Sequence, residues 1–128
     1  MRLLLDTDVL FWSVIDDALL SQVARQAVRD VHADVFVSMA TAWEMAIEVG
    51  IGKWPEAAAL VDDFEAKIAL PGFRLLPISV PHVRAAGLMQ SPHRDPFDRL
   101  LAALAQIEGL TLVTADAKLA SLGAPTLW

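Results

Sequence analysis

Four short, nearly continuous apolar runs punctuate the chain: Arg2 to Leu5, Val35 to Val37, Phe73 to Pro77 and Thr111 to Thr114. Runs of this length and character read as strands buried on both faces. Between them the apolar residues recur at helical spacing over Ser21 to Val31, Ala40 to Ile51, Glu56 to Leu70, Val80 to Met89 and Pro96 to Glu108. Buried strands alternating with helices predict a mainly parallel sheet covered by helices on both sides. Pro125 to Trp128 adds a terminal edge, giving about five strands in a three-layer α/β/α domain. No repeat, low-complexity tract or polar linker interrupts the pattern, so residues 1–128 are expected to form one domain.

In such a sheet ligands bind beyond the carboxyl ends of the strands, where the strand order reverses. Three acids stand at or just past the ends of apolar runs: Asp6 after Leu3-Leu4-Leu5, Asp8 two residues on, and Asp116 after Leu112-Val113-Thr114. Glu44 falls early in the helix after the second strand, and Asp98 in the first turn of the helix opened by Asp95-Pro96. Helix starts that follow parallel strands face the same edge, so all five acids are placed to converge.

Most of them also have a purely structural reading. Asp95 before Pro96 is an N-cap followed by proline at N1. Thr41-Ala42-Trp43-Glu44 matches a capping box. Asp116 suits the cap of a short helix over Ala117 to Leu122, and Asp98 suits the positive end of the helix dipole. Asp6 resists this reading, because a carboxylate that ends a buried strand is costly without a partner, and a cation is one such partner. Asp8 reads as a turn residue with an indirect role, and Glu48, one turn beyond Glu44, as solvated.

Sixteen acids against 10 Lys and Arg give a net charge of −6, unexpected for a chain that grips nucleic acid. The objection weakens if several carboxylates share one site, because divalent ions return positive charge where a phosphate must sit. The absence of cysteine removes disulfides and thiolate zinc sites. No run approaches the roughly 20 apolar residues of a membrane span, and the start lacks a secretory pattern, so a soluble, cytoplasmic protein is expected.

Five segments together resemble the PIN domain nucleases, and within them the VapC-type toxins of bacterial toxin-antitoxin pairs. They are Leu3 to Trp12; Val37-Ser38 leading to Trp43-Glu44-Met45-Ala46-Ile47; Gly52-Lys53-Trp54; His93 to Ala103; and Leu112 to Asp116. The resemblance implies an acidic metal site of Asp6, Glu44, Asp98 and Asp116 supported by Asp8, Asp95 and Thr114. It also implies Mg²⁺ or Mn²⁺ as cofactor, RNA as substrate, a cognate antitoxin as inhibitor, and a homodimer within the toxin-antitoxin complex. Aspartate at position 8 departs from many relatives, which carry an amide or imidazole there.

The chemistry agrees. Phosphodiester hydrolysis needs an activated in-line water, a stabilised leaving oxygen and a neutralised phosphate, which carboxylate-held metals supply. Hard ions such as Mg²⁺ prefer oxygen donors. None of His32, His82 and His93 has a Ser or Cys partner in a triad motif. His32 and His82 read as surface or packing residues, whereas His93 and Arg94 precede the acidic loop as candidate RNA contacts. Arg99, Lys53 and Lys118 are further candidates for phosphate.

Apolar residues make up 55% of the chain before glycine is counted, against roughly 45–50% with glycine in an average domain. The surplus suggests a partner groove, with Phe11, Trp12, Trp43 and Trp54 as candidate contacts. Two other readings share the Asp-Thr-Asp opening or the small acidic α/β character: a haloacid-dehalogenase-type phosphatase and a Mg²⁺-binding receiver domain. Both require a lysine at the site.

Overall fold

The computed structural model describes residues 1–128. Its strands are β1 (Arg2–Leu5), β2 (Asp34–Ser38), β3 (Arg74–Leu76), β4 (Thr111–Val113) and β5 (Thr126–Leu127). They form one sheet in the order β3-β2-β1-β4-β5, and every neighbouring pair is parallel. The chain moves outward from β1 to β3, then crosses to the other side of β1 to add β4 and β5. The strand order therefore reverses between β1 and β4.

Side chains alternate across the sheet, as a pleated strand requires. Leu3, Leu5, Val35, Val37 and Val113 enter one core with α1 (Thr7–Ile15), α2 (Gln22–Arg29), α4 (Ala58–Asp62) and α5 (Phe64–Ala69). Leu4 and Leu112 enter the other with α6 (Val80–Leu88), α7 (Pro96–Glu108) and α8 (Ala117–Ala120). The remaining helix, α3 (Met39–Gly50), reaches both cores, through Met45 on one side and Ala40 on the other. The result is the three-layer α/β/α arrangement expected. Leu3, Leu4 and Leu5 have no exposed surface. Truncating any of them to alanine costs about 2–5 kcal/mol, a large share of a domain's typical 5–15 kcal/mol stability.

Local chemistry sets the helix ends. Asp95 accepts from the backbone N–H groups of Phe97 and Asp98 at 2.9 and 3.2 Å, Pro96 opens α7, and Gly109 closes it in the left-handed conformation at φ 67°. One helix goes unannounced in the sequence and one expectation needs correction. The segment Thr7–Ile15 is a helix that periodicity does not announce, because TDVLFWSVI is apolar almost throughout and has no polar stripe. The helix expected over Glu56 to Leu70 is a 3₁₀ turn at Pro55–Ala57 followed by α4 and α5, which are separated where Asp63 leaves helical geometry at φ −139°.

Candidate active site

Beyond the carboxyl ends of β1 and β4, at the reversal of strand order, lies a cavity of about 290 Å³. Nine residues line it: Asp6, Thr7, Asp8, Glu44, Glu48, Trp54, Asp95, Asp98 and Asp116. Seven of the nine are acids. The fold thus brings Asp6, Glu44, Asp98 and Asp116 together, with Asp8 and Asp95 beside them.

Asp6 does two jobs at once. It caps α1, accepting the Val9 N–H on Oδ1 at 2.8 Å, and its Oδ2 accepts the hydroxyl proton of Thr114. Thr114 in turn accepts the N–H of Asp116 at 3.0 Å, tying the loop after β4 to the end of β1. Asp116 accepts the Lys118 N–H at 2.9 Å and so caps α8. Capping and membership of the acidic site are compatible for Asp6, Asp95 and Asp116, since an N-cap carboxylate keeps further lone pairs.

Glu44 corrects the capping-box reading. The N-cap of α3 is Ser38, whose Oγ accepts the Ala40 N–H at 2.9 Å, and Glu44 lies in the second turn. Its Oε1 accepts the Thr7 hydroxyl at 2.5 Å. Thr7 is a buried positioning residue that sequence reasoning missed. Its only signal was its place between Asp6 and Asp8. Asp8 is corrected as well, from a turn to the first turn of α1, and Glu48 lines the cavity instead of standing in solvent.

Electrostatics record the crowding. Burial pushes the Asp6 carboxyl up to about 6, against the opposing pull of Thr114 and the Val9 N–H, while Asp8 and Asp98 push it further up. Burial likewise lifts Glu44 to about 7, opposed by Thr7 and reinforced by Asp95, Asp98 and Glu48. Asp8 and Asp98 are also raised, chiefly by burial, with Asp116 adding repulsion in both cases. No three of these acids form a ready-made cation cage.

The cations sort differently from expectation. Lys53, Arg94 and Lys118 are exposed, Lys53 immediately before the cavity residue Trp54 and Arg94 before Asp95. Arg99 has most of its donors committed within the protein. Its guanidinium donates to the backbone carbonyls of Ala86, Gly87, Met89 and His93. His93 lies 2.7 Å from Asp98 through Nε2, a partner of an acid as well as a loop residue. His32 is exposed, and His82 is buried between Ser79 and Glu108, as packing requires. Among the aromatics Trp43 is 63% exposed, whereas Phe11, Trp12 and Trp54 are half-buried against the first core. No lysine lines the cavity, so neither the phosphatase nor the receiver reading finds its required cation there.

A family model described as the PIN domain matches residues 3–125. Ribonuclease VapC22 of Mycobacterium tuberculosis is 31% identical over 139 residues, covering 98% of this chain and 97% of its own. Among solved structures, VapBC2 from Rickettsia felis, bound to a DNA fragment from its promoter, matches with a TM-score of 0.67 at 17% identity, covering 99% of this chain and 98% of that one. Mycobacterium tuberculosis VapC20, described as a Sarcin-Ricin loop cleaving toxin, matches with a TM-score of 0.63 at 16% identity, covering 95% of each. The extent of these matches, over a fold whose strand ends gather the acids, leads to one conclusion: the chain belongs to the PIN domain family.

Proposed function

We propose that this protein is a metal-dependent endoribonuclease, the toxin of a toxin-antitoxin pair. The observation that carries the reading is the cavity at the strand reversal, whose lining is seven acids, one hydroxyl and one indole. An all-oxygen donor set suits a hard divalent ion and no thiophilic one. Asp6, Glu44, Asp98 and Asp116 would hold Mg²⁺ or Mn²⁺, which when bound neutralises the phosphate and acidifies water.

The chain's own groups prepare the site. Thr114 and the Val9 N–H fix Asp6, and Thr7 fixes Glu44, so two carboxylates are oriented before anything binds. The one lining hydroxyl, on Thr7, is committed to Glu44. That favours water over a side chain as nucleophile. Arg94 and Lys53, at the cavity's edges in sequence, are the candidate contacts for flanking phosphates.

The partner is inferred from similarity to VapBC structures, one of them described as a member of the VapBC family of toxin-antitoxin systems. A cognate antitoxin and a homodimer within its complex are therefore proposed here. An exposed apolar row of Met39, Trp43, Ile47 and Ile51 runs at four-residue spacing along the helix that carries Glu44.

The test is incubation of purified protein with mixed RNA, with Mg²⁺ or Mn²⁺, and then with EDTA. RNA fragments that appear with metal and cease with EDTA are expected. Intact RNA under all conditions, or cleavage indifferent to EDTA, would overturn the proposal.

A further inference from the structure

One side chain stitches the loop between α6 and α7 onto the helix that carries Asp98. Arg99 donates from Nε to the Ala86 carbonyl at 2.9 Å, from Nη2 to Met89 at 2.5 Å and Gly87 at 3.3 Å, and from Nη1 to His93 at 3.3 Å. Three of these carbonyls lie at the carboxyl end of α6, where the last turn has no intrahelical donors and the helix dipole favours a cation. A planar fork of five donors can serve four carbonyls at once, which an ammonium cannot.

The fourth carbonyl links this clamp to the acidic cavity. It belongs to His93, whose Nε2 stands 2.7 Å from Asp98 Oδ2, with both side chains only 18% exposed. An ionised carboxylate only accepts, so Nε2 carries the proton and donates. The other Asp98 oxygen has no protein donor. Asp98 is thus held by one oxygen, through a histidine whose backbone is tied at its carbonyl by Arg99 at 3.3 Å and at its N–H by Ser91 Oγ at 3.2 Å.

We propose that Arg99 is a positioning residue for the acidic centre, acting through His93 to fix the orientation in which Asp98 meets a divalent cation. The inference rests on the metal-centre reading given above. It separates two roles that the sequence places close together: Arg94 is exposed and makes no hydrogen bond within the protein, while Arg99, five residues on, holds the loop. Partners of this kind, behind a metal ligand, commonly change metal affinity tenfold to a hundredfold when removed.

The test is Mn²⁺ titration of the metal-free protein, followed by the electron paramagnetic resonance signal of free Mn²⁺. The samples are the parent, Arg99→Met, Arg99→Lys, His93→Gln and the double variant Arg99→Met/His93→Gln, with a thermal melt of each. We expect about a tenfold or greater loss of affinity in Arg99→Met and in His93→Gln. Lysine should not rescue it, and the double variant should lose little more than His93→Gln alone. Arg99 variants that melt lower but bind Mn²⁺ as the parent does would overturn the proposal. So would losses that multiply in the double variant, or parent-like affinity in His93→Gln. If Arg99→Met does not fold, Arg99→Lys and His93→Gln carry the same comparison. A parent that binds no Mn²⁺ would instead reject the metal centre itself.

Discussion

Thr114 donates its hydroxyl to Asp6 across a separation of 108 residues and accepts the N–H of Asp116 in the same stroke, so one side chain joins the ends of β1 and β4. Thr114→Val removes a buried donor to a carboxylate and leaves the Asp116 N–H without its acceptor. The expected cost is about 1–3 kcal/mol in urea unfolding with EDTA present. Thr114→Ser should recover most of it. Equal stability of the valine and serine variants would show that the hydroxyl contributes nothing.

Asp6→Asn and Asp98→Asn keep side-chain shape and remove one charge each from the cavity. RNA cleavage should fall by orders of magnitude in both, with circular dichroism unchanged. Asp95→Asn should be milder, because asparagine caps α7 about as well as aspartate. Near-parent cleavage by purified Asp6→Asn or Asp98→Asn would contradict the assignment.

The raised carboxyls make stability depend on pH in a defined direction. Asp6 and Glu44 titrate at about 6 and about 7 when folded, against ordinary values of 3.8 and 4.5. A carboxyl raised on folding stabilises the protein while protonated, and that contribution is lost as pH rises through its folded value. Metal-free protein should therefore lose this contribution progressively from about pH 4, where the unfolded carboxyls ionise, to about pH 7, where the folded ones have followed. Glu44→Gln cannot ionise and keeps an acceptor for Thr7. Its melting temperature in EDTA, relative to the parent, should be higher at the upper pH than at the lower one. A difference that does not change with pH would show that Glu44 is not raised by its surroundings.

An apolar surplus partly left on the surface, with Trp43 63% exposed, predicts poor behaviour of the chain alone. We expect self-association in sedimentation velocity, relieved by co-expression with the product of a neighbouring small reading frame. A monodisperse monomer that ignores that product would count against the partner.

The strands and the sheet's direction were legible in the sequence because short apolar runs report burial directly, and Asp6 and Asp116 stood out at the ends of such runs. The grouping of Glu44 and Asp98 with them rested on helix starts and on the family resemblance, and all four line one cavity. Helix α1 was not legible, since Val9 to Ile15 carries no polar stripe and only packing distinguishes it from a strand. Thr7 and His93 were missed as partners of Glu44 and Asp98 for another reason. Thr7 meets Glu44 across 37 residues, which local spacing does not encode, and His93 is only five residues from Asp98 but reaches it through the loop's turn back onto α7, which has no periodic signature. Arg99 read as a candidate phosphate contact, because local spacing does not show the free carbonyls of α6 that gather around it.

The most direct test of the central claim is a melting series of the parent and Asp98→Asn, first in EDTA and then with increasing Mn²⁺. Converging carboxylates repel one another without metal, so the variant should melt at or above the parent's temperature in EDTA. With Mn²⁺ the parent should gain stability by RT ln(1 + [L]/Kd), about 2.7 kcal/mol at a hundredfold excess over Kd, and the variant much less. Identical responses of the two proteins to Mn²⁺ would mean that Asp98 belongs to no metal site.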